Sequence, residues 1–150
     1  MKRIQVTLCV GVLVAIGLGF SVGESVGHGK TSTLYELRTY TTLPGRLEAL
    51  HKRFAEHTLK LFADHGIKNE AYWVPTDDAR KHNTLIYLVS HESREAADQN
   101  WKAFAADPRW IKVRDSSTSA ESGGKILAKR PERVFTESTD YSPLPKPSSH

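Results

Sequence analysis

The hydrophobic period changes within residues 34–50 (LYELRTYTTLPGRLEAL), and this change constrains the fold more than any other feature of the sequence. Polar and apolar side chains alternate over residues 34–40, which is typical of a β-strand. Beyond Pro44 and Gly45, apolar residues recur at steps of three and four, which indicates an amphipathic helix that ends at Gly66. We expect Pro44 at the first helical position, where its missing N–H costs nothing. The predicted apolar stripe comprises Leu47, Leu50, Phe54, His57, Thr58, Leu61 and His65.

The remaining segments continue this order of strands and helices. Strands are predicted at residues 67–74, 83–90 and 133–137, and the second is apolar enough to be central in a sheet. Helices are expected after Ser93 and after Asp107, each with that residue as its N-cap. The order β-α-β-β-α-(α)-β predicts an α+β, ferredoxin-like split βαβ fold with a four-stranded antiparallel sheet and helices on one face. The bare second face predicts a homodimer that pairs through its sheets.

Residues 1–23 have the pattern of a secretory signal peptide. A basic head of Lys2 and Arg3 precedes a mostly apolar run over residues 4–20, and small residues follow it. We therefore expect an exported protein, periplasmic or secreted, with an uncleaved membrane anchor as the alternative. The predicted division of the rest is a flexible tether at residues 24–32, the folded domain at 33–138, and a Pro- and Ser-rich tail at 139–150.

Composition argues against several function classes. The single cysteine, Cys9, lies in the predicted signal peptide, so the exported chain would contain neither a disulfide nor a thiolate metal site. Loss of Lys2 and Arg3 would lower the formal net charge from +4 to +2. Nucleic-acid binding is not expected, because basic and acidic residues share the predicted exposed side of the first helix. They are Lys52, Arg53, Lys60, Glu48 and Glu56. No membrane contact is expected beyond the signal segment, since neither helix combines a basic face with a free apolar one.

Several short motifs together resemble the NIPSNAP family. They are YELRTY followed by PG, HGI after the first helix, Trp73, Asn83, DPRW after the second helix and DYSPL near the end, and they span residues 33–144. The resemblance implies a ferredoxin-like domain that pairs into a dimeric α/β barrel, an arrangement that the family shares with many small oxygenases and haem proteins. The resemblance implies no catalytic residues.

In such a dimer, the sheet face opposite the helices lines a chamber between the two subunits. If Tyr35 and Leu37 pack beneath the helices, the alternation of the strand directs Glu36, Arg38 and Tyr40 into this chamber. An apolar chamber with a few polar groups suits a small, partly apolar ligand. The expected lining comprises Glu36, Arg38, Tyr40, His57, Trp73 and Asn83.

Two other functions stay open beside this binding module. In the first, His57 is the general base of a cofactor-independent oxygenase or isomerase, and Asn83 and Arg38 stabilise negative charge. In the second, the protein is a protein-binding dimer whose core is filled by side chains, and His57 is a core histidine. No metal or other cofactor is expected, because no H-x-x-x-H or H-E-x-x-H pair occurs, although haem ligation by His57 or His65 is geometrically open. Core or dimer packing is the expected role of Trp73, Trp101 and Trp110.

Overall fold

The structure is a computed structural model that describes residues 33–144. The predicted signal peptide, the tether and the end of the tail lie outside these residues. The elements are, in order, β1 (Leu34–Thr41), α1 (Leu47–Arg53), a π turn (Phe54–Thr58), α2 (Leu59–Asp64), β2 (Lys68–Trp73), β3 (Thr84–His91), α3 (Arg94–Ala106), α4 (Pro108–Ser117) and β4 (Glu132–Thr136). Within this part of the chain, no helix is long and apolar enough to cross a membrane.

The strands form an antiparallel sheet in the order β2-β3-β1-β4. This order confirms the predicted ferredoxin-like α+β fold. The apolar strand β3 lies in the interior of the sheet, where Tyr87 and Val89 are fully buried. The core lies between the sheet and the helices, and it comprises Leu50, Phe54, Leu61, Phe62, Ile67, Leu85, Tyr87, Val89, Phe104 and Ile126.

The ends of the helices follow the predicted capping residues. Ser93 Oγ accepts a hydrogen bond from the Ala96 N–H at 3.1 Å and begins α3. Asp107 Oδ1 accepts one from the Arg109 N–H at 2.7 Å and begins α4, with a proline at its first position. Gly66 follows α2 with a φ of +71°, a conformation that is cheap only for glycine.

Pro44 lies in a turn and does not start the helix, contrary to the prediction. The Arg46 N–H donates to the Leu43 carbonyl at 3.0 Å, and Gly45 has a φ of +72°. Proline followed by a glycine at positive φ is the favoured sequence of a type II turn. The α-helix begins three residues after Pro44, at Leu47.

The π turn changes the phase of the first helical region. In a regular α-helix, Leu50 and Phe62 would point about 120° apart, because each residue turns the chain by about 100°. The π turn absorbs about one extra residue, which reduces this difference to about 20°. Both side chains are consequently buried on one face. The buried residues of the region are Leu50, Arg53, Phe54, Thr58, Leu61 and Phe62.

The predicted positions of His57 on the apolar face and of Arg53 on the solvent side are both wrong. The reason is the direction in which the helix points each side chain. His57 lies inside the π turn and is rotated off the apolar face, so 48% of its side chain is exposed. Arg53 was expected on the solvent side among mixed charges, but only 7% of the residue is exposed. Arg53 is three residues after Leu50 and next to Phe54, and it therefore shares their buried face.

Strand β1 presents to the helices the face opposite to the one expected. Trp101 of α3 donates its indole N–H to Glu36, and Tyr40 packs edge-on against Phe54 of the π turn. Glu36, Arg38 and Tyr40 therefore lie beneath the helices rather than in a chamber between subunits. The expectation failed because α3 and β3 supply partners that satisfy the charged pair.

The sheet face away from the helices, called the open face below, carries apolar side chains at its centre. Leu37 of β1 pairs with Leu88 of β3 and with Val134 of β4, and all three lie on this face. Ile86 occupies the same face two residues before Leu88. The Val134 residue is 58% exposed.

Candidate functional site

A buried polar cluster lies between α3 and the strands β1 and β3. The Glu36 carboxylate, which is fully buried, accepts hydrogen bonds from Arg38 Nη1 at 2.7 Å and Trp101 Nε1 at 2.6 Å. His91 Nε2 lies 3.2 Å from Glu36 Oε2, and the Arg38 guanidinium carbon lies 4.2 Å from the Trp101 ring centroid. These four residues, called the Glu36 cluster, pair the two charges and tie α3 to the sheet.

The Glu36 cluster keeps its carboxyl group ionised. Burial raises the pKa of Glu36, but the hydrogen bond from His91, the charge of Arg38 and the hydrogen bond from Trp101 together outweigh burial. The pKa of Glu36 therefore lies below its ordinary value of 4.5. Arg38 consequently has a charged partner at neutral pH.

A cavity of about 300 Å³, called the helix–sheet cavity below, lies between the sheet, the π turn, α3, α4 and the loop before β4. Most of its lining is aromatic or aliphatic. These residues are Tyr40, Phe54, Phe62, Phe104, Trp110, Ile126, Leu127 and Pro131. The polar lining residues are Arg53, Thr58, Arg114, Thr118 and Lys125. Neither a carboxylate nor an imidazole is among the residues described here that line it.

The loop between α4 and β4 closes one side of the helix–sheet cavity. Thr42 and Leu127 form an isolated β-bridge, and the Leu43 N–H donates to the carbonyl of the buried Ile126 at 2.8 Å. Arg46 Nη2 donates to the Gly124 carbonyl at 3.0 Å. Gly123 has a φ of +86°, a backbone conformation that favours glycine.

Among the described residues that line the cavity, Arg53 is the one cation that is buried. Its Nη1 lies 3.4 Å from Ser117 Oγ, which is a long hydrogen bond, and its Nε has no hydrogen-bond partner. The guanidinium carbon lies 5.3 Å from the Trp110 ring centroid. Within residues 33–144, no carboxylate forms a salt bridge with Arg53. Burial lowers the pKa of Arg53, although an arginine stays charged at any physiological pH.

Two tyrosines connect the Glu36 cluster to the helix–sheet cavity. The ring centroid of Tyr40 lies 5.2 Å from that of Tyr87 and 5.7 Å from the Arg38 guanidinium carbon. Burial, and secondarily the neighbouring Tyr40, raise the pKa of Tyr87 well above 10.0. Tyr87 therefore stays protonated. In the described part of the chain, its hydroxyl has no partner at hydrogen-bond geometry.

Of the six predicted ligand-contacting residues, Tyr40 lines the helix–sheet cavity and the other five do not. Glu36 and Arg38 are engaged in the Glu36 cluster. His57 lines a separate polar groove that also contacts Arg53. Trp73 is 50% exposed beside a hollow at the end of β2. Asn83 Oδ1 accepts a hydrogen bond from Thr84 Oγ1 at 2.8 Å, which indicates a structural role.

The other histidine considered for haem, His65, is engaged in the fold. Its Nε2 lies 2.7 Å from Asp107 Oδ2, so it links the end of α2 to the start of α4. Over the described residues, no group of three or more histidine, cysteine, aspartate or glutamate side chains is arranged to hold a metal ion.

Sequence reasoning missed Arg53, Trp110 and Ile126 as residues of the site. The spacing of Arg53 from Leu50 was a usable signal, but the charge of the side chain favoured a surface position. Trp110 was assigned to packing, and it does pack, with its ring centroid 4.6 Å from that of Phe104. Ile126 lies in a segment without periodicity, so its burial depends on the bridge at Leu127 and had no local signal.

Comparison with known proteins agrees with this architecture. Residues 35–143 match the sequence model of the NIPSNAP family. A NIPSNAP family protein of unknown function from Agrobacterium tumefaciens is similar in structure, with a TM-score of 0.62 and 20% identity over 78% of this chain and 97% of that chain. A NIPSNAP-like domain protein from Burkholderia xenovorans has a TM-score of 0.60 and 16% identity over 79% of this chain and 97% of that chain.

A more distant likeness extends to another group of proteins. A Nitrosomonas europaea protein, provisionally named as an antibiotic biosynthesis monooxygenase, has a TM-score of 0.52 and 12% identity over 75% of this chain and 96% of that chain. This likeness shows a shared fold alone. No curated protein matches the chain at a significant level. Because the family's sequence model matches most of the chain, the protein belongs to the NIPSNAP family.

Proposed function

We propose that this protein binds a small, partly apolar molecule in the helix–sheet cavity. The observation that carries the proposal is the cavity itself, which has a volume of about 300 Å³, aromatic and aliphatic walls and a few polar groups. This composition is typical of small-molecule sites, whose volumes begin near this value. The alternative of a protein-binding dimer with a filled core concerns the space between two subunits and stays a prediction.

The proposed position of the ligand differs from the one expected from the sequence. A chamber between two sheets was favoured when Glu36, Arg38 and Tyr40 were assigned to the open face. Since these side chains lie beneath the helices, the polar and aromatic groups available to a ligand are those of the helix–sheet cavity.

A substitution that fills the cavity tests the proposal. Thr118 is half-buried at the edge of the cavity, so Thr118→Trp should occupy part of the ligand's volume. We expect small amphipathic compounds to raise the melting temperature of the wild type in proportion to their excess and to have little effect on this variant. Thr76→Trp, at an exposed position after β2, is the control and should respond as the wild type does. If no compound of a broad screen moves the melting temperature of the wild type, the binding function is wrong.

We also propose that the protein is exported and forms a homodimer through its open face. Support for export comes from the basic head and apolar run of residues 1–23. Support for the dimer comes from the apolar centre of the open face, around Leu37 and Leu88. N-terminal sequencing of protein recovered outside the cytoplasm should yield a chain that begins near residue 24, and an intact Met1 would favour an uncleaved anchor.

A second candidate function is a cofactor-independent oxygenase or isomerase that uses the same cavity. The observation that favours it is the buried Arg53 guanidinium, whose free N–H groups are suited to stabilise a developing enolate or phenolate. The cavity lining offers no carboxylate or imidazole as a general base, and His57 lies in a different groove. Binding is therefore the better supported function. Turnover that is lost on Arg53→Met in a folded protein would favour the enzyme.

The proposed function requires neither a metal nor haem. Neither histidine considered for haem lines the helix–sheet cavity, since His65 contacts Asp107 and His57 lies in the polar groove. Addition of haemin to the purified protein should leave the Soret band of free haemin unchanged. A shifted band would contradict this part of the proposal.

A further inference from the structure

We infer that the ligand of the helix–sheet cavity is an organic anion with an apolar body, and that Arg53 binds its charged group. The inference rests on the proposed binding function and adds the chemical class of the ligand.

Arg53 has unused hydrogen-bond donors in a buried place. A guanidinium carries five N–H groups, and the structure gives Arg53 a single hydrogen bond, the long contact to Ser117 Oγ. A buried charge without a partner is strongly unfavourable. The same protein pairs the charge of Arg38 with a carboxylate at 2.7 Å, although the Nε of Arg38 also has no partner among the described residues. An anionic ligand would give Arg53 the negatively charged hydrogen-bond partner that Glu36 gives Arg38.

The charge of the lining has one sign. Arg53, Arg114 and Lys125 contribute cationic groups to the cavity, and no described residue of the lining contributes a carboxylate. The charge of Arg114 is partly offset, because its Nε donates to Asp115 Oδ1 at 2.8 Å. Arg114 and Lys125 are exposed at the edge, whereas Arg53 is buried. An anion would therefore be attracted at the entrance and would reach its main partner inside.

The apolar walls of the cavity require that the part of the ligand outside its charged group be apolar. Phe54, Phe62, Trp110 and Ile126 surround the space beside Arg53, so the anion must carry an aromatic or aliphatic body. Trp110 also lies against the guanidinium, with the Arg53 carbon 5.3 Å from its ring centroid. A planar carboxylate matches the guanidinium fork through two parallel hydrogen bonds. A monocarboxylate with one or two rings fits this chemistry.

The test compares acids with neutral amides of the same shape. The full-length domain is titrated at equal ionic strength with two pairs of compounds, phenylacetate with phenylacetamide and 1-naphthylacetate with 1-naphthylacetamide. Binding is measured by calorimetry and by the shift in melting temperature. Losing a hydrogen bond between charged groups lowers the affinity by about tenfold to hundredfold. We therefore expect each acid to bind at least about tenfold more tightly than its amide.

Three variants assign this preference to a residue. Arg53→Met keeps the length and apolar stem of the side chain but removes the charge, and it should abolish the preference for the acid. Arg53→Lys keeps the charge without the planar fork, and it should retain a weaker preference for the acid. This variant keeps the test informative if the methionine variant does not fold. Arg130→Met removes a charge from an exposed position outside the cavity lining and should bind as the wild type does.

The outcomes separate the inference from the proposed function. An acid preference that disappears with Arg53→Met and persists with Arg130→Met supports the inference. Equal binding of acid and amide to the wild type, or a preference that survives Arg53→Met, overturns the inference and leaves the proposed function standing. If neither compound of either pair binds to the wild type at millimolar concentration, the inference is wrong. The proposed function then stands if another compound of the broad screen raises the melting temperature, and it is wrong if none does.

Discussion

Arg38 and Arg53 are both buried beneath the helices, yet they have different surroundings. Arg38 Nη1 contacts the Glu36 carboxylate at 2.7 Å, and its guanidinium lies on the Trp101 ring. Among the described residues, the Nε of each arginine has no hydrogen-bond partner, but Arg53 has only a long contact to Ser117 where Arg38 has a carboxylate. The first arginine therefore belongs to a charge-neutralised structural pair, while the second has the features of a ligand-binding group.

The paired arginine predicts a strong effect of Glu36→Gln on stability. The substitution keeps the shape of the side chain but leaves the Arg38 guanidinium without its counter-charge, and breaking such a buried pair costs about 3 kcal/mol. We expect the free energy of unfolding at pH 7, measured by denaturant titration, to fall by this amount. Glu48→Gln makes the same chemical change at an exposed position of α1 and should have little effect. Equal effects of the two substitutions would contradict the role of Glu36.

The Glu36 cluster also predicts how stability depends on pH. The pKa of Glu36 is lower in the folded protein than its ordinary value of 4.5, so its carboxylate stabilises the fold above that pH. This contribution is lost as the pH falls below about 4.5, when the unfolded chain takes up the proton more readily. The difference in unfolding free energy between wild type and Glu36→Gln should therefore shrink between pH 5 and pH 3 (roughly the range of carboxyl titration). A difference that stays constant over that range would contradict the lowered pKa.

At the scale of elements, the π turn between α1 and α2 positions the site. It brings Leu50 and Phe62 to one face although a regular helix would separate them by about 120°. Arg53 immediately precedes this turn and Thr58 ends it, and Thr58 Oγ1 donates to the Arg53 carbonyl at 3.1 Å. The same turn directs His57 to solvent. π turns are frequent at functional sites, and this one places a charge beside an apolar cavity.

Removal of the Thr58 hydroxyl should weaken the π turn. Thr58→Val preserves the shape of a buried side chain but deletes its hydrogen bond to the Arg53 carbonyl. We expect a loss of about 1 kcal/mol, measured as a lower denaturation midpoint at an unchanged slope. Thr136→Val changes an exposed threonine of β4 and is the matched control. A midpoint as high as that of the wild type would show that the hydroxyl does not stabilise the turn.

At the scale of the molecule, helices and sheet enclose one core, and the second face of the sheet has apolar residues at its centre. Leu37, Leu88 and Val134 lie side by side across three strands of the open face. Contiguous apolar area of this kind marks interaction surfaces in soluble proteins. A second copy of the chain is the occupant that we propose.

A charge at the open face should disrupt the proposed dimer. Val134→Lys places an ammonium group at a position that is 58% exposed in the isolated chain, so the fold should tolerate it while the paired sheets would not. We expect light scattering to give a dimer for the wild type at micromolar concentration and a monomer for the variant. Ile111→Lys makes the same kind of change on α4, on the helix side of the molecule, and should leave the dimer intact. A monomeric wild type at that concentration would remove the proposed dimer, but not the helix–sheet cavity.

The predicted elements depended on local rules, which is why most of them are confirmed. Alternation in β1, the apolar run of β3, the caps at Ser93 and Asp107 and the left-handed Gly66 each involve residues that are close in sequence. The site residues depended on distant partners. Glu36 meets Trp101, 65 positions away, and His91, 55 positions away, so no local pattern could show that its charge would be satisfied beneath the helices.

The sequence by itself determined the order of strands and helices, the ferredoxin-like sheet and the family, because hydrophobic period and capping chemistry act over a few residues. The tertiary structure alone decided which face of β1 the helices cover, where the π turn falls, and that Arg53 points inward beside Trp110. A shift of one residue rotates a helix by about 100°, and such a shift is settled by how the whole core packs.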